Sequence, residues 1–148
     1  HPQHRRQRQM CIRDRCNTTC KNSSIVDQLK LIQNDLFDIG GQISLNEDGA
    51  NIITSESITS LDNYIDQYNS SLDPLKEFIL PGGDLFSANL HVARWVTRRA
   101  DRAVVELYSD SLENNNVVMY LNRLSDYFFV LSRFYNKNEN ISENTWKR

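Results

Sequence analysis

Beyond residue 20 the chain has no cysteine, so the body of the protein has neither disulfide staples nor thiolate chemistry, in keeping with a reducing compartment. Proline is scarce, and only Pro74 and Pro81 fall after residue 2, so long stretches are free to run as uninterrupted helix. Five glycines in 148 residues exclude a collagen-like or linker-like chain. No apolar run approaches the roughly 20 residues that a membrane span requires. The basic N-terminus is followed by no apolar core of a secretion signal, so the expected location is the cytoplasm. Asn-x-Ser/Thr matches at Asn17, Asn22, Asn69 and Asn140 then read as chance. No strong charge of either sign is present: the net charge is −2 and the isoelectric point about 5.9, which gives nucleic acid no global field to follow.

What remains is an ordinary globular composition, 39% hydrophobic and 24% charged, long enough for one domain with its own core. The apolar residues recur at helical spacing. Ile25, Leu29, Ile32, Leu36 and Ile39 predict a helix capped by Ser24 and ended by Gly40-Gly41. Residues 42–53 read as a polar loop. Asn46-Glu47-Asp48-Gly49 lacks the ligand spacing of a calcium loop. A second helix is expected over Ser55–Ser70, with Ile58, Leu61, Ile65, Tyr68 and Leu72 inward, broken by Asp73-Pro74. Leu75–Leu80 reads as extended, and Gly82-Gly83 as a turn before a cap at Asp84. The third helix is predicted over Leu85–Tyr108, with Leu85, Ala88, Val92, Val96, Ala103 and Leu107 towards the core. The fourth runs from about Asn115 to Asn136 on Val117, Leu121, Leu124, Phe128, Leu131 and Tyr135. A polar tail follows, with Trp146 as its one aromatic residue. The fold class is all-α: an antiparallel bundle of four long helices.

His91, Arg94, Arg98 and Asp101 share one stripe of the third helix. Arginines in a row suit a polyanion such as a triphosphate, because guanidinium stays protonated and offers forked donors. A solvated face or an interhelical ion-pair network would give the same periodicity.

The residues around this stripe carry a more specific signal. Phe78-Ile79-Leu80-Pro81-Gly82-Gly83 is followed by Leu90-His91-Val92-Ala93-Arg94, Val96 and Arg98-Arg99-Ala100-Asp101-Arg102. A second block, Tyr120-Leu121-Asn122-Arg123-Leu124-Ser125-Asp126-Tyr127, is followed by Phe129. In this order the two blocks resemble the PduO-type ATP:cob(I)alamin adenosyltransferases, over about Ile25–Trp146.

The resemblance implies transfer of the adenosyl group of ATP to the cobalt of reduced cobalamin, with release of triphosphate. ATP, with Mg²⁺, and cobalamin would be the substrates, and no protein metal site is expected. It implies Arg94 and Arg98 as the catalytic pair, and Arg94, Arg98, Asp101 and Asn122 as the ATP contacts. Asp101 stands where the family usually has Glu, one methylene longer. Phe78 and Phe129 would flank the corrin, Phe78 displacing the lower axial ligand. For either ring, core packing is the ordinary alternative. His91 reads as a hydrogen-bonded structural residue. The resemblance further implies a homotrimer with sites between subunits, served by a flavoprotein-type reductase, without nucleic acid or membrane.

Residues 1–23 fall outside the resemblance. They are rich in arginine and show no sustained period, so they are expected to be a basic tail, disordered or artefactual, ahead of a domain over 24–148. His1, His4, Cys11, Cys16 and Cys20 lack the spacing of a zinc site. A phosphate-holding loop and first helix of the family pattern are missing, and with them the acidic partner of Arg94. Alternative readings are an inactive truncated adenosyltransferase and a non-catalytic helical interaction module.

Overall fold

The computed structural model describes residues 20–45, 52–109 and 115–147. Among the described residues there are four helices: α1 (Ser23–Leu45), α2 (Ser55–Asn69), α3 (Leu85–Leu107) and α4 (Asn116–Asn138). Among the described residues there is no strand, only an isolated antiparallel bridge between Ile79 and Thr145. No described helix is long and apolar enough to cross a membrane.

Contacts along α4 fix the helix directions. Asn116 at its start donates to the Ile53 carbonyl just before α2, and Phe134 near its end packs on Tyr68 near the end of α2, so α2 and α4 run parallel. Phe86, at the start of α3, meets Tyr135, so α3 runs against α4. Tyr127 donates to Gln28 and Tyr120 to Asp35, so α1 also opposes α4. Each helix is therefore antiparallel to the next in the chain. The main helix contacts are those of α4 with α2 and α3.

The core follows the predicted seam most closely in α4, where all six expected residues are buried. In the middle of the bundle, Gln28 accepts hydrogen bonds from both Tyr68 and Tyr127, at 2.8 and 2.9 Å. One buried amide thus ties three helices and satisfies two phenols that would otherwise be costly to bury.

Three expectations are corrected. Asn22 caps α1 in place of Ser24, because its side-chain oxygen accepts from the amides of Ser24 and Ile25. Helix α1 does not stop at Gly40-Gly41 but continues to Leu45. Ser44 donates to the Gly40 carbonyl, and Ile43 packs against the core, which offsets the roughly 1 kcal/mol that each helical glycine costs. On α3 the buried stripe is Phe86, Leu90, Ala93, Thr97 and Val104, while Leu85, Val92 and Leu107 are exposed. This helix carries two apolar stripes, and the one with Phe86 and Leu90 fills the space against α4.

The α2–α3 connection is held at both ends. Asp84 accepts from the Ser87 amide at 2.8 Å as the cap of α3. Gly83 has φ +111, and a side chain there would collide with Asn136. Glycine is required on both counts. Further back, residues 78–80 pair with the C-terminal segment: the Leu80 amide donates to the Asn144 carbonyl and the Trp146 amide to the Phe78 carbonyl, each at 2.8 Å. The tail is thus part of the fold.

Candidate functional site

Antiparallel packing of α3 on α4 sets Arg94, in the stripe of His91, Arg94, Arg98 and Asp101, beside Phe129 and Asp126. Arg94 is half-buried, and its guanidinium carbon lies 5.0 Å from the centre of the Phe129 ring. Its Nε is buried without a hydrogen-bond partner. Burial first, then the neighbouring Arg98 charge, push the Arg94 guanidinium below its ordinary range, while Asp126 works the other way. The cation is therefore compensated only in part, by Asp126 and the Phe129 face, and an anion would add to that.

Arg98 is exposed at its outer end and donates to Asp101 at 2.9 Å. Asp101 is almost fully buried, so the pair anchors one end of Arg98 and leaves its remaining donors towards solvent. The shorter carboxylate still reaches its arginine. Asn122 is exposed one turn before Asp126.

His91 is buried, with Nε2 3.4 Å from the Ser132 hydroxyl and Nδ1 unpartnered. Burial, then Arg94, lower its pKa from the ordinary 6.5, so the ring is held neutral. A groove of about 520 Å³ passes alongside, lined by Pro81, Gly82, His91, Trp95, Arg99 and Arg102 among others. Trp95 is well exposed, although nothing in the sequence pattern singled it out.

The two phenylalanines are placed differently. Phe129 is half-buried under Arg94. Phe78 is 79% exposed and meets the edge of Trp146, at 6.4 Å between ring centres, so it is not a core residue. Among the described residues no ring contact joins Phe78 to Phe129. The structure thus brings together Arg94, Arg98, Asp101 and Phe129, and leaves Phe78 on the segment between α2 and α3. Among the described residues no group of three His, Cys, Asp or Glu side chains could hold a metal. Cys11 and Cys16 lie outside the described residues; Cys20 is a free thiol.

Sequence reasoning missed one feature of this region. Arg133 is buried on α4, bound to Glu143 at 2.8 Å and to the Asp73 carbonyl at 3.0 Å. An arginine between Leu131 and Tyr135, in the middle of an apolar seam, was the available signal.

The profile of the cobalamin adenosyltransferase family matches residues 9–135, starting ahead of the expected boundary at residue 24. The chain belongs to the cobalamin adenosyltransferase family. A cobalamin adenosyltransferase of Cupriavidus metallidurans is 44% identical over 117 residues, which is 79% of this chain and 62% of that protein. A corrinoid adenosyltransferase of Bacillus subtilis is 41% identical over 122 residues, 82% of this chain and 63% of its own. The chain thus spans a little under two thirds of these curated relatives. The fold matches a PduO-type ATP:corrinoid adenosyltransferase variant from Lactobacillus reuteri complexed with cobalamin and ATP, with TM-score 0.83 and 28% identity over 97% of this chain and 82% of that one. A second variant of that enzyme, complexed with ATP, matches with TM-score 0.84 at 31% identity, over 96% and 83% of the two chains.

Proposed function

We propose that this chain transfers the adenosyl group of ATP to the cobalt of a reduced corrinoid. The observation that carries the reading is Arg94: a half-buried guanidinium with an unpaired Nε, one turn from Arg98, within the segment that the family profile matches. Two neighbouring cations that repel each other gain most from a multiply charged anion, and the triphosphate of ATP is one.

In the reaction the cobalt(I) electron pair forms a bond to C5′ of the ribose. The C5′–oxygen bond breaks, and its electrons leave with triphosphate. The nucleophile is strong already, so the protein's share is alignment and stabilisation of the leaving charge. Arg98, fixed by Asp101, would bind the departing triphosphate. Arg94 would order the nucleotide over Phe129, with Asn122 offering its amide to the nucleotide. Mg²⁺ would arrive with the triphosphate. Phe78, exposed on the segment before α3, has the placement of a ring that meets a ligand or a second chain, and we assign it with Phe129 to the corrin. A homotrimer with sites between subunits would give the open α3 face a partner, and a flavoprotein-type reductase in the cytoplasm would supply the electron.

The test is anaerobic: purified chain, chemically reduced cobalamin, ATP and Mg²⁺, followed by the visible spectrum. The adenosylcobalamin spectrum is the expected outcome, lost in Arg98→Ala. No product from the intact chain, even with a family-like N-terminal segment restored, would refute the reading.

A further inference from the structure

Phe78 presents a difficulty of placement. Its side chain is 79% exposed, so packing does not hold it. Its position depends on its backbone, and that backbone is fastened by the pairing of residues 78–80 with 144–146. Both partners are loop segments, and a single isolated bridge is weak alone. Something else must keep the two segments in register.

Arg133 supplies that fastening. Its Nε donates to Glu143 Oε1 at 2.8 Å, and one terminal nitrogen lies 3.5 Å from Oε2. The same terminal nitrogen donates to the Asp73 carbonyl at 3.0 Å. One planar group thus grips the chain five residues before Phe78 and three residues before Trp146. Arg133 is 7% exposed and sits on α4, whose neighbouring side chains are core. One turn on, Lys137 adds a bond to the Ser71 carbonyl at 2.6 Å and lies 3.6 Å from the Asp73 carboxylate. Arg133 has an uncommon role for a buried arginine: its partners are the two segments that carry Phe78 and Trp146.

We infer that Arg133 and Glu143 are positioning residues for the corrinoid side of the site, acting through the Phe78 segment without touching substrate. This rests on the assignment of Phe78 to the corrin. Carboxylate and fork hold the tail, the tail holds the Phe78 segment, and that segment presents the ring. Arg94 and Arg98 stand on α3, whose packing on α4 does not pass through Glu143. Loosening the tether should therefore cost corrinoid affinity and spare ATP affinity.

Glu143→Gln tests this, since Glu143 is partly exposed and glutamine keeps its shape. Arg133→Lys, which keeps the charge and loses the fork, is the second variant. Cob(II)alamin is titrated by its visible spectrum with ATP present, ATP is titrated separately, and amide exchange is followed at Leu80 and Trp146. Glu143→Gln should speed exchange at both amides, weaken cob(II)alamin about tenfold, leave ATP within twofold, and add little to Phe78→Ala, because both act through one ring. Unchanged exchange in both variants would overturn the tether. Faster exchange with unchanged cob(II)alamin affinity would overturn its link to the site. Equal losses for ATP and cob(II)alamin would mean general loosening and also overturn it. If Phe78→Ala leaves cob(II)alamin binding intact, the assignment of Phe78 fails first, and the inference falls with it.

Discussion

Arg94 and Arg133 are both arginines set into the bundle, one on α3 and one on α4, and they are satisfied in opposite ways. Arg133 directs Nε and one terminal nitrogen to Glu143 and the Asp73 carbonyl. Arg94 lies over an aromatic face with Nε unpaired, and burial and Arg98 work against its charge. A saturated buried cation belongs to the architecture, because removing it strands its partners. An unsaturated one is a cost to the empty fold that a ligand can offset. The difference separates a tether from a site within the same chain.

The sharpest attempt to break this contrast is on activity. Arg98→Ala should lower adenosylation about 100-fold or more, the usual loss when one donor to a leaving anion is removed. Single-turnover rates under anaerobic conditions measure it, and a loss below tenfold would place the triphosphate elsewhere.

Stability should then divide the two arginines. Arg133→Met leaves Glu143 and a backbone carbonyl without their partner and should cost about 3 kcal/mol, the low end for a broken buried pair because Glu143 is 28% exposed. Arg94→Met gives up only about 1 kcal/mol of cation–π attraction and relieves an unpaired Nε, so its urea midpoint should move little. Equal losses would erase the distinction.

A smaller effect concerns pH. His91 has a folded-state pKa below its ordinary 6.5, so the unfolded chain binds a proton that the folded one refuses. That difference destabilises the fold as pH falls from about 6.5 towards the lowered value, and vanishes above 6.5. Urea midpoints between pH 7 and pH 5 should therefore fall less in His91→Gln than in the parent chain. The smallest change expected is Asp101→Glu. The present carboxylate already reaches Arg98 at 2.9 Å, so restoring the family residue should alter the rate less than about threefold.

Much of the fold was legible because a heptad-like seam has one physical meaning. Val117, Leu121, Leu124, Phe128, Leu131 and Tyr135 are all buried as read. Helix α3 was misread because it is apolar on two stripes, and periodicity cannot tell which one meets α4. Helix α1 outran its glycines because tertiary burial of Ile43 overrides a local propensity of about 1 kcal/mol. The arginine stripe was visible in the spacing, and the shared motif set it apart from an ordinary ion-pair network. Phe78 and Trp146 were both visible as residues, but their meeting was not: sixty-eight positions separate them, and no local rule joins a turn to a tail.

By itself the sequence determined four helices, their order, the single stripe of His91, Arg94, Arg98 and Asp101, and the family to which they point, since each follows from local spacing and residue type. Only the tertiary structure decided which stripe of α3 is buried, that Arg94 keeps an unpaired Nε while Arg133 Nε is paired with Glu143, and that the C-terminal segment pairs with the Phe78 segment. These depend on which distant groups share one dielectric and one set of hydrogen-bond partners, and that is settled only when the helices pack.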